Sequence, residues 1–149
     1  MVTSDKNSFN QINVLIVEDD AGHVKLIEKN LRSAGLAGKI SVANTDIEAI
    51  AMLTDESADA LTKKIEPLLI MLDLGIPEKG GLEVLRLIMT NRNKIKTMVI
   101  VFSASSDPVE IKNCYLSGCN IFITKPGDYN KFAETIRSLG HFLNYIKFP

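Results

Sequence analysis

The sequence predicts an α/β protein in which five parallel strands alternate with five helices. Five short apolar segments are each followed by a segment whose apolar residues recur every three or four positions. Short apolar runs bounded by turn residues are typical of strands buried on both faces, and the longer spacing is typical of one helix face. This alternation favours a parallel sheet covered on both sides by right-handed crossovers.

Length and composition restrict the possible functions. The chain has 149 residues with a net charge of -1, so we expect one domain over residues 1–149 and neither a nucleic-acid nor a membrane partner. No apolar run reaches the roughly 18 residues of a membrane span. Residues 1–11 are polar, lack a signal-peptide core and predict a loose arm. Cys114 and Cys119 fit neither a disulfide framework nor a metal knuckle. A cytoplasmic protein without an output domain is expected.

The first two strands and helices follow from local patterns. A strand is predicted over residues 12–17, and the helix after it has the inward face Val24, Ile27, Leu31 and Ala34, with Gly35 as its stop. After a second strand over residues 39–43, Thr45 and Glu48 have capping-box spacing. They start a second helix with Ile47, Ile50 and Leu53 inward. The polar residues 54–66 are interpreted as the end of that helix and a loop.

The third strand is the most apolar part of the chain. Residues 68–72 read Leu-Leu-Ile-Met-Leu and lead directly into Asp73, with Pro67 and Pro77 on either side. A carboxylate at the end of a buried strand is costly to hide. In open α/β sheets, ligands bind at that edge. Asp73 is therefore the first candidate functional residue. Gly80-Gly81 opens the third helix, whose inward residues are Leu82, Leu85 and Met89.

Two further strands and helices complete the predicted chain. The strands, over residues 97–103 and 121–124, end at Ser103 and Lys125. Asp107 and Asp128 are predicted N-caps of the two helices. Gly118 ends the fourth helix, and the last is expected to reach about residue 147.

The last helix carries two sets of apolar residues. One set forms a stripe that predicts the core face: Phe132, Ile136, Leu139, Leu143 and Ile146. Phe142, Tyr145 and Phe148 point away from that stripe. Single exposed apolar residues are normal, so surface decoration is one interpretation. Three aromatic residues at one end of a helix also fit an anchor for a partner.

Polar residues at the strand ends predict a common site. With the strand order 2-1-3-4-5, the first and third strands are neighbours, and Glu18, Asp19 and Asp73 converge. Their mutual repulsion is relieved by Mg²⁺, which prefers oxygen ligands. The hydroxyl of Ser103 and the ammonium of Lys125 complete the groups needed for phosphoryl transfer to an aspartate. Because no Gly-rich loop follows the first strand, a dinucleotide or P-loop nucleotide site is not expected.

Four short motifs carry a resemblance to a known family. They are Val-Glu-Asp-Asp, Leu-Asp-Leu-Gly-Ile-Pro, Phe-Ser-Ala-Ser and Ile-Thr-Lys-Pro, each at a strand end. Together they resemble the response-regulator receiver domain over residues 12–145. The resemblance implies a flavodoxin-like fold and a partner kinase. The chain is similar to single-domain receivers that pair with phytochrome-type and other sensor histidine kinases.

The resemblance also implies a role for each site residue. Asp73 is then the phosphoacceptor and also a Mg²⁺ ligand, together with Asp19, Glu18 (directly or through water) and the backbone carbonyl of Gly75. Ser103 is the switch hydroxyl, Lys125 the phosphate partner and Phe122 the aromatic switch residue. The Lys125–Pro126 bond is expected to be cis.

The output surface is likewise expected from the family. It comprises the fourth helix, the fifth strand and the fifth helix, and we expect a homodimer or kinase interface centred on Phe142 and Tyr145. Repulsion among the carboxylates predicts that Asp19→Asn or Asp73→Asn stabilises the metal-free fold by about 1 kcal/mol.

Two other functions were weighed against this one. An aspartate-nucleophile phosphatase needs an acid two residues after the nucleophile, and Gly75 stands there. A receiver-fold binding module without phosphorylation is the other alternative, and the intact Asp19, Asp73 and Lys125 argue against it. Gly75 also lacks the side chain that receivers often direct at the phosphoryl group, so the lifetime of the phosphorylated state is open. His23, on the first turn of helix one, is interpreted as a solvated helix residue.

Overall fold

The computed structural model describes residues 8–54, 65–92 and 95–148 of the chain. A parallel sheet has the order β2-β1-β3-β4-β5, which confirms the predicted flavodoxin-like topology. Its strands are β1 (Val14–Val17), β2 (Ile40–Ala43), β3 (Leu69–Leu72), β4 (Met98–Ser103) and β5 (Ile121–Thr124). The helices are α1 (Ala21–Ser33), α2 (Asp46–Thr54), α3 (Gly81–Thr90), α4 (Pro108–Leu116) and α5 (Tyr129–Leu143). Most of the expected helix end and loop over residues 54–66 lies outside the described residues.

The strand register brings the predicted site residues to one edge. Val17 at the end of β1 pairs with both Ala43 and Leu72, the last residues of β2 and β3. The Asp73 N–H continues this ladder and donates to the Val17 carbonyl at 3.0 Å. The chain therefore leaves β1 and β3 side by side, at the switch point where open α/β sheets bind ligands.

The sheet separates two apolar cores, because alternate residues of each strand point to opposite faces. The core under α1 and α5 is rich in aromatic residues and contains Phe9, Phe102, Phe132 and Phe148. The core under α2, α3 and α4 is mainly aliphatic and contains both cysteines, Cys114 and Cys119. Neighbouring residues of β1 illustrate the alternation, since Ile16 faces the first core and Val17 the second.

The expected loose arm at residues 1–11 is wrong for its described part, residues 8–11. Phe9 is fully buried in the aromatic core. The Gln11 N–H donates to the Ser8 carbonyl at 2.9 Å, and the Ala37 N–H donates to the Asn10 carbonyl at 2.8 Å. One phenylalanine is enough to dock the segment, because burying it contributes about 2–3 kcal/mol. The polar neighbours of Phe9 concealed this in the sequence.

The last helix ends earlier than predicted. It stops at Leu143, and Asn144 caps it with a side-chain amide that donates to the carbonyls of Ala34 and Gly140, both at 3.0 Å. Beyond this cap the helical spacing no longer applies, so Phe148 turns back into the aromatic core instead of facing solvent. Phe142 and Tyr145 are exposed, as the pattern predicted.

The start of α2 confirms one prediction and corrects another. The Glu48 N–H donates to the Thr45 hydroxyl at 3.1 Å, which is the expected N-terminal cap. Ile47, predicted to point inward, is exposed. The buried face of α2 consists of Asp46, Ala49 and Leu53. Ile47 lies about 100° away from Asp46 around the helix axis, so it faces solvent.

Candidate functional site

Three carboxylates converge where β1 and β3 end. Glu18 and Asp19 follow β1, Asp73 follows β3, and each presents an oxygen within 4.8 Å of the other two. Glu18 is buried, Asp19 is exposed and Asp73 is intermediate. Convergence of these side chains, predicted from the strand order, is confirmed.

Lys125 reaches this cluster from the end of β5. Its side chain is 6% exposed, and its ammonium donates to Glu18 Oε1 and, at 3.1 Å, to Asp73 Oδ2. The Lys125 backbone N–H donates to the Ser103 carbonyl at 2.7 Å, which fixes the residue beside β4. One cation therefore bridges two carboxylates that leave adjacent strands.

The expected cis bond between Lys125 and Pro126 is wrong. Within residues 8–54, 65–92 and 95–148, the cis peptide bond is Pro77–Glu78, so the Lys125–Pro126 bond is trans. The side chain of Lys125 reaches both carboxylates from this trans backbone, and no cis bond is needed to direct it to the site.

Asp73 is held as an ionised carboxylate. Its Oδ1 accepts the Gly75 N–H at 3.2 Å, and its Oδ2 accepts from Lys125. Burial raises its pKa, but the hydrogen bond with Glu18, the charge of Lys125 and the Gly75 N–H together outweigh burial. The pKa of Asp73 is therefore below its ordinary value. At neutral pH the side chain is a carboxylate with both oxygens oriented.

Glu18 is shifted in the opposite direction. Burial raises the pKa of Glu18, the hydrogen bond and charge of Asp73 raise it further, and Lys125 offsets only part of the increase. Its Oε2 accepts the Asp19 N–H at 3.1 Å. Its Oε1 accepts from Lys125 and lies 3.0 Å from His23 Nδ1. Two carboxylates that share one lysine thus differ in how readily they lose a proton.

The donor set fits a hard divalent cation. Three carboxylate oxygens within one small radius are the ligands that Mg²⁺ prefers, and the exposed Asp19 leaves room for the waters that Mg²⁺ retains. A side chain at Gly75 would begin 3.8 and 3.9 Å from the two Asp73 oxygens, so the glycine leaves this carboxylate uncovered. Ligation by the Gly75 carbonyl stays a prediction.

Ser103 and Phe122 lie on the strands beside the cluster. Ser103 ends β4, is buried and pairs with Thr124 of β5. Phe122 is half-buried against the core under α2, α3 and α4, and its N–H donates to the Tyr115 hydroxyl at 3.0 Å. Both positions suit the predicted switch pair, and their roles in switching stay predictions.

The proposed interface residues lie elsewhere. Helix α5 begins after Lys125, at the site edge, and returns along the sheet, so its last turn is at the opposite end. Phe142 is 56% exposed and Tyr145 is 87% exposed there. The structure therefore separates these two aromatic residues from the carboxylate cluster.

Sequence reasoning missed the position of His23. Its Nδ1 lies 3.0 Å from Glu18 Oε1 and 3.2 Å from the Lys125 ammonium, and its ring centroid is 5.1 Å from that of Phe132. It also lines a groove of about 640 Å³ between α1 and the start of α5. The signal was Asp20, which caps α1 by accepting the N–H groups of Gly22 and His23 and so sets the first helical turn beside Glu18.

Asp46 is a second residue that the sequence did not single out. It is buried, and its carboxylate accepts the N–H groups of Ile47, Lys79 and Glu78 at 2.8, 3.0 and 3.3 Å. Its own N–H donates to the Pro77 carbonyl at 3.0 Å. Asp46 thus ties α2 to the loop that follows Asp73. A buried Asp directly after the Thr45 cap was the available signal.

Known proteins resemble this chain over most of its length. A crystal structure of a response regulator receiver domain from Rhodospirillum rubrum is 32% identical, superposes with a TM-score of 0.81 and covers 93% of this chain and 97% of its own. The phosphorylated cyanobacterial phytochrome response regulator RcpA is 27% identical, with a TM-score of 0.82 and coverage of 93% and 98%. The two-component response regulator ARR17 of Arabidopsis thaliana is 27% identical over 137 residues, which are 90% of this chain and 86% of that protein.

The family model of the response regulator receiver domain matches residues 14–137, from the first residue of β1 into α5. Among the described residues, no helix has both the length and the apolar character to cross a bilayer. Proteins with this domain are phosphoacceptor switches of two-component systems, work with histidine kinases and bind Mg²⁺ at their acidic pocket. The match covers well over half of the chain, which therefore belongs to the response regulator receiver domain family.

Proposed function

We propose that this receiver domain accepts a phosphoryl group on Asp73 from a sensor histidine kinase, in a reaction that requires Mg²⁺. The observation that carries the proposal is the position of Lys125, whose ammonium contacts both Glu18 and Asp73 within the three-carboxylate cluster. An ammonium and a divalent-cation site beside one oriented carboxylate supply the charge stabilisation that phosphoryl transfer needs.

Asp73 is the nucleophile in this proposal. Its lowered pKa keeps it ionised at neutral pH, and the Gly75 N–H and Lys125 hold its two oxygens. One oxygen attacks phosphorus in line, and the bond from phosphorus to the donor nitrogen breaks. Mg²⁺ held by Glu18, Asp19 and Asp73 would supply positive charge to the phosphoryl oxygens. We expect the Gly75 carbonyl to complete the ligand set.

Lys125 and Ser103 recognise the product. Lys125 exchanges its contact with Asp73 Oδ2 for one with a phosphoryl oxygen, because the negative charge moves there. The Ser103 hydroxyl, at the end of β4, donates to another phosphoryl oxygen. Phe122 of β5 then repacks against the core under α4.

The repacking would alter the surface formed by α4, β5 and α5. We propose a homodimer or kinase interface on this surface, with Phe142 and Tyr145 as its exposed aromatic residues. Coupling between the phosphate and this surface falls in the usual allosteric range of about 1–3 kcal/mol. The proposal includes a cytoplasmic single-domain protein, since the partner is a kinase and the receiver family match takes up residues 14–137.

Reaction with acetyl phosphate tests the proposal. In Mg²⁺ we expect a mass increase of about 80 Da that maps to Asp73, and none in a chelator. Asp73→Ala abolishes the adduct and Asp19→Ala severely slows it. Asp107→Ala, the same replacement at the cap of α4 and away from the cluster, leaves the rate unchanged. Modification of Asp73→Ala at the parent rate would refute the assignment. An unmodified parent protein would favour the non-phosphorylated binding module.

A further inference from the structure

His23 contacts the one site carboxylate that is almost wholly buried. Its Nδ1 lies 3.0 Å from Glu18 Oε1, while the other oxygen, Oε2, accepts the Asp19 N–H at 3.1 Å. Glu18 itself is 1% exposed. The two contacts act on different oxygens, so together they set the rotation of the carboxylate about its terminal bond.

Lys125 shares Oε1 with His23, since its ammonium donates to the same oxygen and lies 3.2 Å from His23 Nδ1. In the proposed function, Lys125 turns toward the phosphoryl group. Of the two side chains now on Oε1, His23 then remains. With its ring proton on Nδ1, the imidazole donates to Oε1 and keeps Glu18 oriented after Lys125 has left.

The position of the imidazole is fixed by the protein rather than by solvent. The His23 backbone N–H donates to Asp20 Oδ1 at 3.1 Å as part of the helix cap. The ring packs against Phe132, with centroids 5.1 Å apart and planes at 35°. Phe132 is buried and packs edge-on against Phe102 of β4. A ring supported in this way holds a defined direction toward Glu18.

We propose that His23 is a positioning residue, which orients the Glu18 carboxylate for Mg²⁺ and so raises the affinity of the site. The inference rests on the proposed function, because it assigns Glu18 to the metal site. Residues that orient metal ligands typically change metal affinity by about 10- to 100-fold when they are replaced. A histidine that merely packs on Phe132 would change it little.

Three single variants separate the two roles. His23→Phe keeps a ring against Phe132 but removes Nδ1, so we expect the Kd for Mg²⁺ to rise about tenfold or more. His23→Asn returns a donor near the position of Nδ1, and we expect a Kd within about threefold of the parent value. His141→Phe, the same replacement at an exposed position of α5, leaves the Kd unchanged.

Titration calorimetry with MgCl₂ measures these constants, and thermal melts in a chelator verify that each variant is folded. In a Glu18→Ala background, His23→Phe should cause no further loss, because the carboxylate it acts on is gone. If His23→Phe does not fold, His23→Leu replaces it in both backgrounds. An unchanged or lower Kd in the ring variant, or an equal loss in the Glu18→Ala background, overturns the inference. A parent protein that does not bind Mg²⁺ refutes the proposed function instead.

Discussion

Helices α4 and α5 are the two helices nearest the edge strand β5 in sequence, yet they are attached to the sheet very differently. Six of the 15 residues of α5 are buried, from Phe132 to Leu143. In α4, one residue of nine is buried, Cys114. Val109 and Leu116 of α4 are exposed instead. An element with few buried contacts opens at a lower free energy than one packed along its length.

This difference suggests which part of the molecule responds to the site. Ser103 directly precedes the β4–α4 loop, and Phe122 contacts the core under α4. In that loop, the Ser105 hydroxyl donates to Glu110 Oε2 of α4 at 2.6 Å, and the Thr124 hydroxyl donates to the Ser105 carbonyl at 2.9 Å. A change at the strand ends therefore reaches α4 through a few polar contacts, whereas moving α5 requires disruption of a core. We expect α4 to be the moving half of the output surface and α5 the fixed half.

The largest expected effect comes from one substitution made on both helices. Leu143 and Leu116 are the last residues of α5 and α4, and they are 0% and 75% exposed. Leu143→Ala should lower the free energy of unfolding by about 2–5 kcal/mol, because it leaves a cavity in the core. Leu116→Ala should change it by less than about 0.5 kcal/mol. Urea denaturation of both variants measures the difference, and equal losses would remove the contrast between the helices.

A glycine tests how closely α5 packs on α1. A Cβ at Gly140 would lie 2.4 Å from the Ala34 Cβ, so the two helices must separate to admit it. Gly140→Ala should destabilise the fold by about 1–3 kcal/mol, as overpacked cores do. The matched control is Gly127→Ala, where nothing lies within 4 Å of the new carbon. Thermal melts compare the two, and a Gly140→Ala protein as stable as the control would mean that α5 is not closely packed.

The cysteines report on opening of α4. Burial raises the pKa of Cys114, and burial together with Cys114 raises the pKa of Cys119 to about 11. At pH 8 about one native Cys119 in a thousand is then a thiolate, so alkylation is slow and proceeds largely through local opening.

An engineered cysteine compares this opening with that of α5. In a Cys114→Ser/Cys119→Ser background, Ala133→Cys places a thiol on the buried face of α5. We expect native Cys114 to react with iodoacetamide more than about tenfold faster than this control at pH 8, because α4 opens more readily. Both rates should rise with pH between 7 and 9 as thiolate forms. Faster labelling at position 133 would contradict the comparison.

The smallest effect concerns the two carboxylates that share Lys125. The raised pKa of Glu18 contributes stability below its ordinary value of 4.5, and that stability is lost as pH rises through the folded-state pKa. The lowered pKa of Asp73 contributes stability above 3.8, which is lost as pH falls through the folded-state pKa. At pH 7 without metal, Glu18→Gln should therefore stabilise the fold by about 1 kcal/mol.

Asp73→Asn should have the opposite sign. Repulsion alone predicts a gain for this variant, but the contact with Lys125 is lost, so we expect destabilisation of about 1 kcal/mol. Asp19 is exposed and retains the expected gain in Asp19→Asn. Chemical denaturation in a chelator at pH 4 and pH 7 measures these differences. Stabilisation by Asp73→Asn and not by Glu18→Gln at pH 7 would mean that the two side chains exchange roles.

Most of the fold and the site could be predicted because their signals are local. Apolar runs, the cap at Asp107 and the residue that follows each strand are read within a few positions, and the strand order then brings Glu18, Asp73 and Lys125 together. The errors fall where the structure depends on distant contacts. Phe9 and Phe148 are near the chain ends but pack into the same core, which no periodicity in their own segments indicates.

The same limit applies within the site. His23 appeared to be a solvated helix residue because its partners Glu18, Lys125 and Phe132 belong to three other segments. Asp46 was overlooked because its carboxylate caps a loop more than 30 residues further along the chain. Local propensity predicts that such residues are polar or helical, and only the assembled sheet determines what they contact.

Hydrogen exchange measured by mass spectrometry tests the central claim most directly. The protein is compared with and without acetyl phosphate in Mg²⁺, and Asp73→Asn serves as the unphosphorylated control. The account predicts that phosphorylation changes exchange in the β4–α4 loop and α4, while the amides of α5 over residues 132–140 are unchanged, and that the control shows neither effect. A change confined to α5, or the same change in Asp73→Asn, would contradict it.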